Sequence, residues 1–253
     1  MKAIFLSPHF DDAVFSCGGL IARLSQVCPT EVWTIFAGKP LIPRSSSLSR
    51  WLHLACNAPN AASLNAARKN EDLNAMKLLK SSSKHFRFLD CVYRIDWLFR
   101  PLYKQTCLTA LHPTDEQFIQ TLKNVFQRLI DPSDILFTPL GIGNHVDHQI
   151  TRAAIESTKP STLCYFEDVP YNIPEIAPKS TEPLNCNLIK IPLQFSDVES
   201  WKLATREYVS QLPVVDPTGK LLESYISGFQ NKPFKLLGTT TATQKLTQLL
   251  PNT

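Results

Sequence analysis

Two short polar clusters, far apart in the chain, contain the side chains that a hydrolytic metal site requires. Residues 9–12 hold one His and two Asp directly after the apolar run 3–6, and residues 145–148 hold two His and one Asp soon after the apolar run 135–137. Such groups are costly in a hydrophobic core, whereas imidazole and carboxylate are common ligands of zinc. The pattern predicts that the two clusters meet in one zinc-dependent hydrolytic centre.

The spacing of these residues suggests a separate role for each of four side chains. His9 and Asp12 are three positions apart across a strand-to-helix turn, so both can point at one ion, and His148 supplies a third ligand. A catalytic zinc has three protein ligands and an open position for a water, whose pKa it lowers to about 7. Asp11 is placed to take the proton of that water as general base.

His145 and Asp147 are the remaining candidates in the second cluster. His145 lies one helical turn before His148, where it can stabilise a developing oxyanion and then protonate a leaving amine. Asp147 is placed to hold one of the two histidines in the required tautomer. Simpler roles stay open, since Asp pairs often cap helices and histidines often lie on surfaces. A shared site is favoured because three of the six histidines fall in two acid-bearing clusters.

Strand and helix patterns alternate up to about residue 170, which predicts an α/β fold with a mostly parallel sheet and helices on both faces. In such sheets, ligands bind at the carboxyl ends of strands, where the strand order reverses. Both polar clusters follow predicted strands. Strands are predicted at 3–6, 31–36, 85–93, 134–139, 163–166 and 187–192, and helices at 13–26, 48–56, 68–80, 114–129, 147–157 and 196–211.

The whole chain, 1–253, is predicted to be a single domain with its core in 1–212. Residues 39–67 read as a long, weakly patterned insertion, which is typical of a rim or lid. Gly18 and Gly19 are expected to let the first helix approach the sheet closely. The C-terminal segment 213–253 is expected to be loosely ordered in part and to pack on the site.

Composition limits the classes of partner. A formal net charge of +4 without clustered basic residues argues against a nucleic-acid-binding protein. The longest apolar runs are too short for a membrane span or a signal peptide, so a cytoplasmic location is expected. The seven scattered cysteines form no C-x-x-C motif, which argues against a disulfide framework or a cysteine zinc site. Cys91 and Cys164 lie in apolar runs and are predicted to be buried, inert thiols.

The two clusters resemble the signatures of the PIG-L/LmbE family of zinc-dependent N-deacetylases, which remove acetyl from N-acetylglucosaminyl groups. Residues 8–12 are similar to that family's His-Pro-Asp-Asp signature, and residues 145–148 to its His-x-Asp-His signature. The stretches 68–72, 88–90, 165–171 and 208–211 also look like segments of the family. The resemblance implies a Rossmann-like three-layer sandwich over most of residues 1–212.

The resemblance also implies roles for particular residues. The implied zinc ligands are His9, Asp12 and His148, the implied general base is Asp11, and the implied electrostatic and acid partner is His145, tuned by Asp147. Arg68 and Asp90 look like contacts to a sugar or phosphate. Phe10 and Ala13 depart from the common signature, which has Pro and Glu at these positions. Because both lie at the mouth of the expected site, these departures bear on the substrate more than on the reaction.

The expected function is hydrolysis of an N-acetyl or related N-acyl group on an amino-sugar substrate, either a small molecule or a larger glycosylated compound. Fe²⁺ suits the same ligands as Zn²⁺. Two alternatives stay open: a metal-dependent hydrolase of another amide, such as a carbamoyl, formyl or longer acyl group, and a non-catalytic protein that binds a sugar or nucleotide on the same fold. The sequence makes no prediction of oligomeric state.

Overall fold

The computed structural model describes residues 1–40, 46–172, 183 and 185–251. The described strands are β1 (Ala3–Ser7), β2 (Thr30–Thr34), β3 (Ser82–His85), β4 (Ile135–Pro139), β5 (Leu163–Phe166), β6 (Asn187–Ile191) and β7 (Phe234–Gly238). The described α-helices are α1 (Asp12–Leu24), α2 (Ser47–Ala55), α3 (Ala61–Leu78), α4 (Asp115–Leu129), α5 (Val146–Glu156), α6 (Phe195–Arg206), α7 (Leu212–Val215), α8 (Leu221–Ser227) and α9 (Thr240–Leu249). Short 3-10 helices span Cys91–Tyr93 and Gly228–Gln230.

All seven strands join one sheet in the order β3-β2-β1-β4-β5-β7-β6. The pairs β1–β2, β1–β4, β2–β3 and β4–β5 are parallel. β7 runs antiparallel to both of its neighbours, β5 and β6. The predicted α/β fold with a mostly parallel sheet is therefore confirmed.

β1 lies in the middle of the sheet and is buried along its whole length. Its side chains alternate between the two faces. Phe5 packs in one apolar cluster with Val14 of α1, and Ile4 packs in another with Phe126 of α4. Each such side chain stabilises the fold by about 1.5–3 kcal/mol when buried. Helices therefore cover both faces, which gives three layers.

The strand order reverses at the junction between β1 and β4. The chain runs from β1 outward through β2 to β3, and later from β4 outward to β5. β1 and β4 are parallel neighbours, with Phe5 opposite Phe137. The loops that follow these two strands therefore lie side by side at one edge, as the positions of the polar clusters predicted.

Two elements begin earlier than predicted. β3 occupies Ser82–His85 instead of 85–93, and the carboxylate of Asp90 accepts a hydrogen bond from Val92 N at the start of a 3-10 helix. α3 begins at Ala61 instead of 68, because the side chain of Asn60 caps it. Part of the 39–67 insertion is therefore helical, and the helix predicted at 48–56 is confirmed as α2.

We expect residues 213–253 to be loosely ordered in part, but the described residues of this segment form helices and a strand. β7 lies inside the sheet, between β5 and β6. The side chain of Thr239 caps α9, which buries Ala242 and Leu246. Val214 and Val215 of α7 line the large cavity described below, so this part of the chain does pack at the site.

Gly18 and Gly19 permit a close approach, but to a helix and not to the sheet. A Cβ on Gly18 would lie 2.3 Å from Cδ1 of Trp201, and one on Gly19 would lie 2.8 Å from Cε3 of the same ring. Trp201 belongs to α6, is fully buried and donates its indole N–H to Val14 O. The two glycines therefore fix the packing of α1 against α6.

Candidate metal centre and active site

The turn between β1 and α1 is held by short hydrogen bonds that fix two candidate ligands. Ser7 Oγ donates to His9 O at 2.5 Å and accepts from Ala13 N at 3.0 Å. His9 N donates to Asp12 Oδ2 at 2.6 Å. Asp11 occupies the N-cap position of α1, but its side chain makes no capping hydrogen bond. The capping alternative for Asp11 is therefore not what the structure shows.

The turn between β4 and α5 depends on left-handed backbone at several positions. Gly141 has φ +79°, Gly143 has φ +85° and Asn144 has φ +56°, which glycine and, less readily, asparagine adopt. A Cβ on Gly143 would also lie 2.7 Å from the ring of Tyr171. The turn delivers His148 into the first turn of α5, where it is buried.

The three predicted ligands converge on one point. His9 Nδ1 lies 3.0 Å from Asp12 Oδ2, and His148 Nε2 lies 3.3 Å from the same oxygen. Ligand atoms about 2.0–2.2 Å from a tetrahedral zinc are separated from one another by about 3.3–3.6 Å. Each nitrogen therefore lies about as far from Asp12 Oδ2 as two ligands of one zinc ion lie from each other.

An unpartnered ring nitrogen supports the same conclusion. His148 Nε2 is buried and makes no hydrogen bond, although Asp12 Oδ2 lies 3.3 Å away. The other nitrogen, Nδ1, lies 2.5 Å from Asp168 Oδ1. With Nδ1 as the donor, Nε2 keeps a free lone pair for a metal, the usual arrangement in which a carboxylate orients a ligating histidine.

Three other groups of side chains among the described residues also come close together. Ring nitrogens of His9, His145 and His148 lie within 4.8 Å of one another, as do ligand atoms of His9, Asp90 and Asp147 and those of Cys91, Cys107 and His145. His145 already accepts a backbone hydrogen bond, and Asp147 is engaged by an arginine. The set that contains Asp12 places two ring nitrogens within 3.3 Å of one carboxylate oxygen.

The carboxylate of Asp147 contacts His9, an interaction that the family resemblance did not imply. Asp147 Oδ2 lies 3.0 Å from His9 Nε2 and accepts from Cys91 N at 3.0 Å. Arg94 forms a buried ion pair with Asp147 Oδ1 and also bonds Asp115. Burial raises the pKa of Asp147, but the Arg94 charge and the His9 hydrogen bond hold it well below its usual range. Asp147 thus acts on His9.

Asp11, Arg68 and Asp90 form a second charged group beside the ligands. Arg68 Nη2 donates to Asp11 Oδ1 at 2.9 Å, and Arg68 Nη1 lies 3.6 Å from Asp90 Oδ2. Burial raises the pKa of the Asp11 carboxyl, the Arg68 charge opposes this, and the neighbouring Asp12 adds to it. A carboxyl with a raised pKa and one oxygen not bonded to Arg68 suits a general base.

His145 closes the other side of this group. Its Nδ1 accepts a hydrogen bond from Asp147 N at 3.3 Å, and its Nε2 lies 4.0 Å from Cys91 Sγ. Burial lowers the pKa of His145 well below its ordinary value. With Nδ1 as acceptor, the proton of the neutral ring is on Nε2.

These charged groups form the floor of a cavity of about 610 Å³. His9, Asp11, Asp12 and His145 line its polar end. The rest of the wall is largely apolar and comes from α2, the loop before α4, the segment after β5 and α7; it includes Leu48, Trp51, Leu52, Leu108, Val169, Val214 and Val215. The site thus combines a charged floor with an apolar wall.

Comparison with known protein families decides where this chain belongs. The profile of the PIG-L family, described as GlcNAc-PI de-N-acetylase, matches residues 4–159. This is more than half of the chain, and it contains both polar clusters. The chain belongs to the PIG-L family.

One curated relative of this PIG-L protein is the 2'-N-acetylparomamine deacetylase of Streptomyces fradiae. The two are 27% identical over 176 residues, which cover 67% of this chain and 57% of the relative. The chain therefore spans little more than half the length of that protein.

Solved structures of similar fold include the zinc-inhibited form of teicoplanin deacetylase, with a TM-score of 0.80 and 22% identity, covering 94% of this chain and 97% of the other. A40926 pseudoaglycone deacetylase has a TM-score of 0.72 and 22% identity, covering 93% and 95%. These likenesses show that the whole PIG-L fold is shared. Among the described residues, no helix has the length and apolar composition needed to cross a membrane.

Three residues of the site were not assigned their roles from the sequence. Asp168 bonds His148 and the backbone N–H groups of Gly141 and Ile142, a role that the sequence did not predict. Arg94 and Tyr171 carried no signal of their own. The single clue to Asp168 was its place after a fifth predicted strand, at the same edge of the sheet as the two motifs.

Proposed function

We propose that this PIG-L protein is a zinc-dependent N-deacetylase, which hydrolyses the N-acetyl or a related N-acyl group of a substrate that contains an amino sugar. The observation that supports this most strongly is the convergence of His9 Nδ1 and His148 Nε2 on Asp12 Oδ2, with the carboxyl of Asp11 beside them at the floor of a large cavity. Family membership and the deacetylases among its relatives support the same reaction.

In this proposal, His9, Asp12 and His148 hold the zinc ion. A zinc ion bound there would lower the pKa of a coordinated water to about 7 and polarise the carbonyl of the amide. Asp147 and Asp168 position the two histidines by bonding their second ring nitrogens at 3.0 and 2.5 Å. Fe²⁺ suits the same two imidazoles and carboxylate, so metal content is part of the test.

Asp11 serves as the general base. Its Oδ1 is held by Arg68, which leaves Oδ2 to take the proton of the attacking water. Burial raises the pKa of Asp11, so the protonated carboxyl can later return this proton to the leaving nitrogen. Arg68 fixes the orientation of the carboxylate during both transfers.

His145 stabilises the charge that develops on the carbonyl oxygen. Its Nδ1 accepts a backbone hydrogen bond, so the N–H at Nε2 is the donor that remains for an oxyanion. A neutral imidazole is a good hydrogen-bond donor but holds no extra proton for the amine. We therefore assign the return of the proton to Asp11.

We propose that the amino sugar binds over Arg68 and Asp90, which both line the cavity beside the base. Sugar hydroxyls are matched by such charged donors and acceptors. The apolar wall formed by Trp51, Leu108 and Val214 is larger than an acetyl group needs. The size of this wall favours a second candidate function, in which the enzyme cleaves an amide with a longer acyl chain or acts on a substrate that carries an apolar group.

The test compares Asp11→Asn and His148→Ala with the wild type in amine release from N-acetyl amino sugars, together with metal content. Asp11→Asn should keep its metal and lose about 10²–10⁴-fold in kcat. His148→Ala should lose the metal and its activity together. Glu116→Gln, on the exposed start of α4, is the matched control and should behave as the wild type.

Full turnover in either site variant would refute the assignment. A wild-type protein that holds zinc and binds an amino sugar but releases no amine from acetyl, formyl, carbamoyl or longer acyl derivatives would favour the non-catalytic alternative. A preference for one of these acyl groups identifies the amide that is cleaved.

A further inference from the structure

Residues 91–107 form a loop whose two ends meet beside the active site. Cys91 begins the 3-10 helix at one end and Cys107 stands at the other, and their Sγ atoms are 2.7 Å apart. Both cysteines are buried, whereas Trp97 near the middle of the loop is 84% exposed. Compact surface loops are recognised by two ends that lie close together. Here the thiols of Cys91 and Cys107 form this closure, which we call the neck of the loop.

The distance between the two sulfur atoms distinguishes two kinds of chemistry. Non-bonded carbon atoms lie about 3.5–4.0 Å apart, and sulfur is larger. Two thiolates on one tetrahedral zinc would be separated by about 3.8 Å, given Zn–S bonds of about 2.3 Å. A disulfide needs about 2.05 Å. At 2.7 Å, Cys91 and Cys107 are too close for a shared metal ion and close enough to bond to each other.

One of the two thiols is within reach of a small reagent. Cys107 lines the 610 Å³ cavity, next to Leu108. Cys91 lies behind it, fully buried. An oxidant that enters the cavity therefore meets Cys107 first, with Cys91 in place as the resolving thiol.

We propose that Cys91 and Cys107 form a reversible disulfide that closes the neck of the 91–107 loop. The oxidant is a low-molecular-weight disulfide. The Cys107 thiolate attacks one of its sulfurs, forms a mixed disulfide and releases the first small thiol. Cys91 then gives up its proton, attacks Cys107 Sγ and expels the second small thiol. Two electrons and two protons pass from the pair to the reagent, and an excess of small thiol reverses both steps.

The bond would tie together two segments that already support the site. Cys91 N donates to Asp147 Oδ2 at 3.0 Å, and Val146 N donates to Cys107 O at 2.9 Å. Lys104 and Leu108 belong to the cavity wall. A closed neck therefore holds this wall against the start of α5 and limits opening of the loop. Cys91 is buried as the sequence predicted, but this proposal gives it a reaction in place of an inert role.

The experiment uses the full chain after incubation with 2-hydroxyethyl disulfide or with an excess of 2-mercaptoethanol. In the oxidised sample, peptide mapping should show one linked pair that contains Cys91 and Cys107, and two fewer free thiols. The melting temperature should rise by about 5–10 °C. Chymotrypsin cleavage near Trp97 should slow by at least about fivefold, and reduction should reverse every change.

Cys107→Ser should remove all three effects, and Cys186→Ser, at a half-buried cysteine elsewhere in the fold, should keep them. The proposal is overturned if both thiols stay free under oxidation, or if oxidation stops at an adduct of the small thiol on Cys107. It is also overturned if the wild type holds a second zinc ion that Cys107→Ser loses. All of these readouts are independent of catalytic turnover.

Discussion

His148 Nδ1 and Asp168 Oδ1 lie 2.5 Å apart, both fully buried, and the second oxygen of Asp168 accepts hydrogen bonds from Gly141 N at 2.8 Å and Ile142 N at 3.0 Å. One carboxylate therefore fixes both a candidate ligand and the backbone of the turn that delivers it. The orientation of His148 depends on this residue, which lies after β5, more than on its own helix.

Asp168→Asn tests that dependence. The variant keeps the size of the side chain but loses its charge, so His148 is held less firmly and metal affinity should fall by about 10–100-fold. Metal titration with a competing chelator measures the change. Glu167→Gln, at the exposed neighbouring position, is the control. Equal affinities in the two variants would contradict a positioning role for Asp168.

Arg94→Met tests the ion pair behind His9. Arg94 is buried between Asp147 and Asp115, so its loss leaves two buried carboxylates without their cation. The free energy of unfolding should fall by about 3–5 kcal/mol, as measured by urea denaturation. Arg100→Met removes an exposed arginine that pairs with Asp96 and should change stability little. Similar losses in both variants would show that burial of the pair is unimportant.

Gly18→Ala tests the contact between α1 and α6. Alanine is the better helix former by about 1 kcal/mol, but its Cβ would lie 2.3 Å from Cδ1 of Trp201. We expect a net loss of about 1–3 kcal/mol in the free energy of unfolding. Gly228→Ala, where a Cβ meets no heavy atom within 4 Å, should be neutral or stabilising. A gain in stability for Gly18→Ala would mean that the indole moves away easily.

Asp216→Asn tests a pH-dependent contribution to stability by a residue that is not one of the proposed metal ligands. Burial raises the pKa of Asp216, but hydrogen bonds from Leu222 N at 2.9 Å and Thr218 Oγ1 at 2.8 Å outweigh this and lower it. Because the folded pKa lies below the unfolded value of about 3.9, the carboxylate stabilises the fold above that pH and loses its effect as the pH falls further.

At pH 7, Asp216→Asn should therefore be less stable than the wild type by about 1–2 kcal/mol. The difference should shrink between pH 5 and pH 3. Thermal unfolding across this range measures it, and Glu116→Gln should follow the wild type at every pH. A difference that grows toward low pH would have the wrong sign for a depressed pKa.

The sequence was sufficient to predict that the two polar loops lie at the same edge of the sheet, because this depends on local patterns. An apolar run followed by His9 and Asp12, and another followed by His148, predict two loops at the same edge of a parallel sheet. The same is true of α2, whose pattern is visible within nine residues. Short-range signals of this kind do not require knowledge of the packing.

The partners of those residues depend on contacts across the fold and carry no local signal. Arg94 reaches Asp147 across 53 positions, and Asp168 reaches back 20 positions to His148. β7 was missed because its five residues, with Phe234, Leu236 and Leu237 beside a lysine and a glycine, do not alternate as a strand pattern should, and its pairing with β5 spans more than 70 positions. α9 was missed because its surface is rich in threonine, although Ala242 and Leu246 are spaced as on one helical face.

The place of β7 in the sheet has a consequence for how the chain folds during synthesis. β6 joins the sheet through β7, which leaves the ribosome more than 40 residues later. Until then, β5 presents an unpaired edge and β6 has no partner. Nascent chains that stop short of β7 should therefore aggregate or recruit chaperones, even though both loops of the proposed site have already been translated.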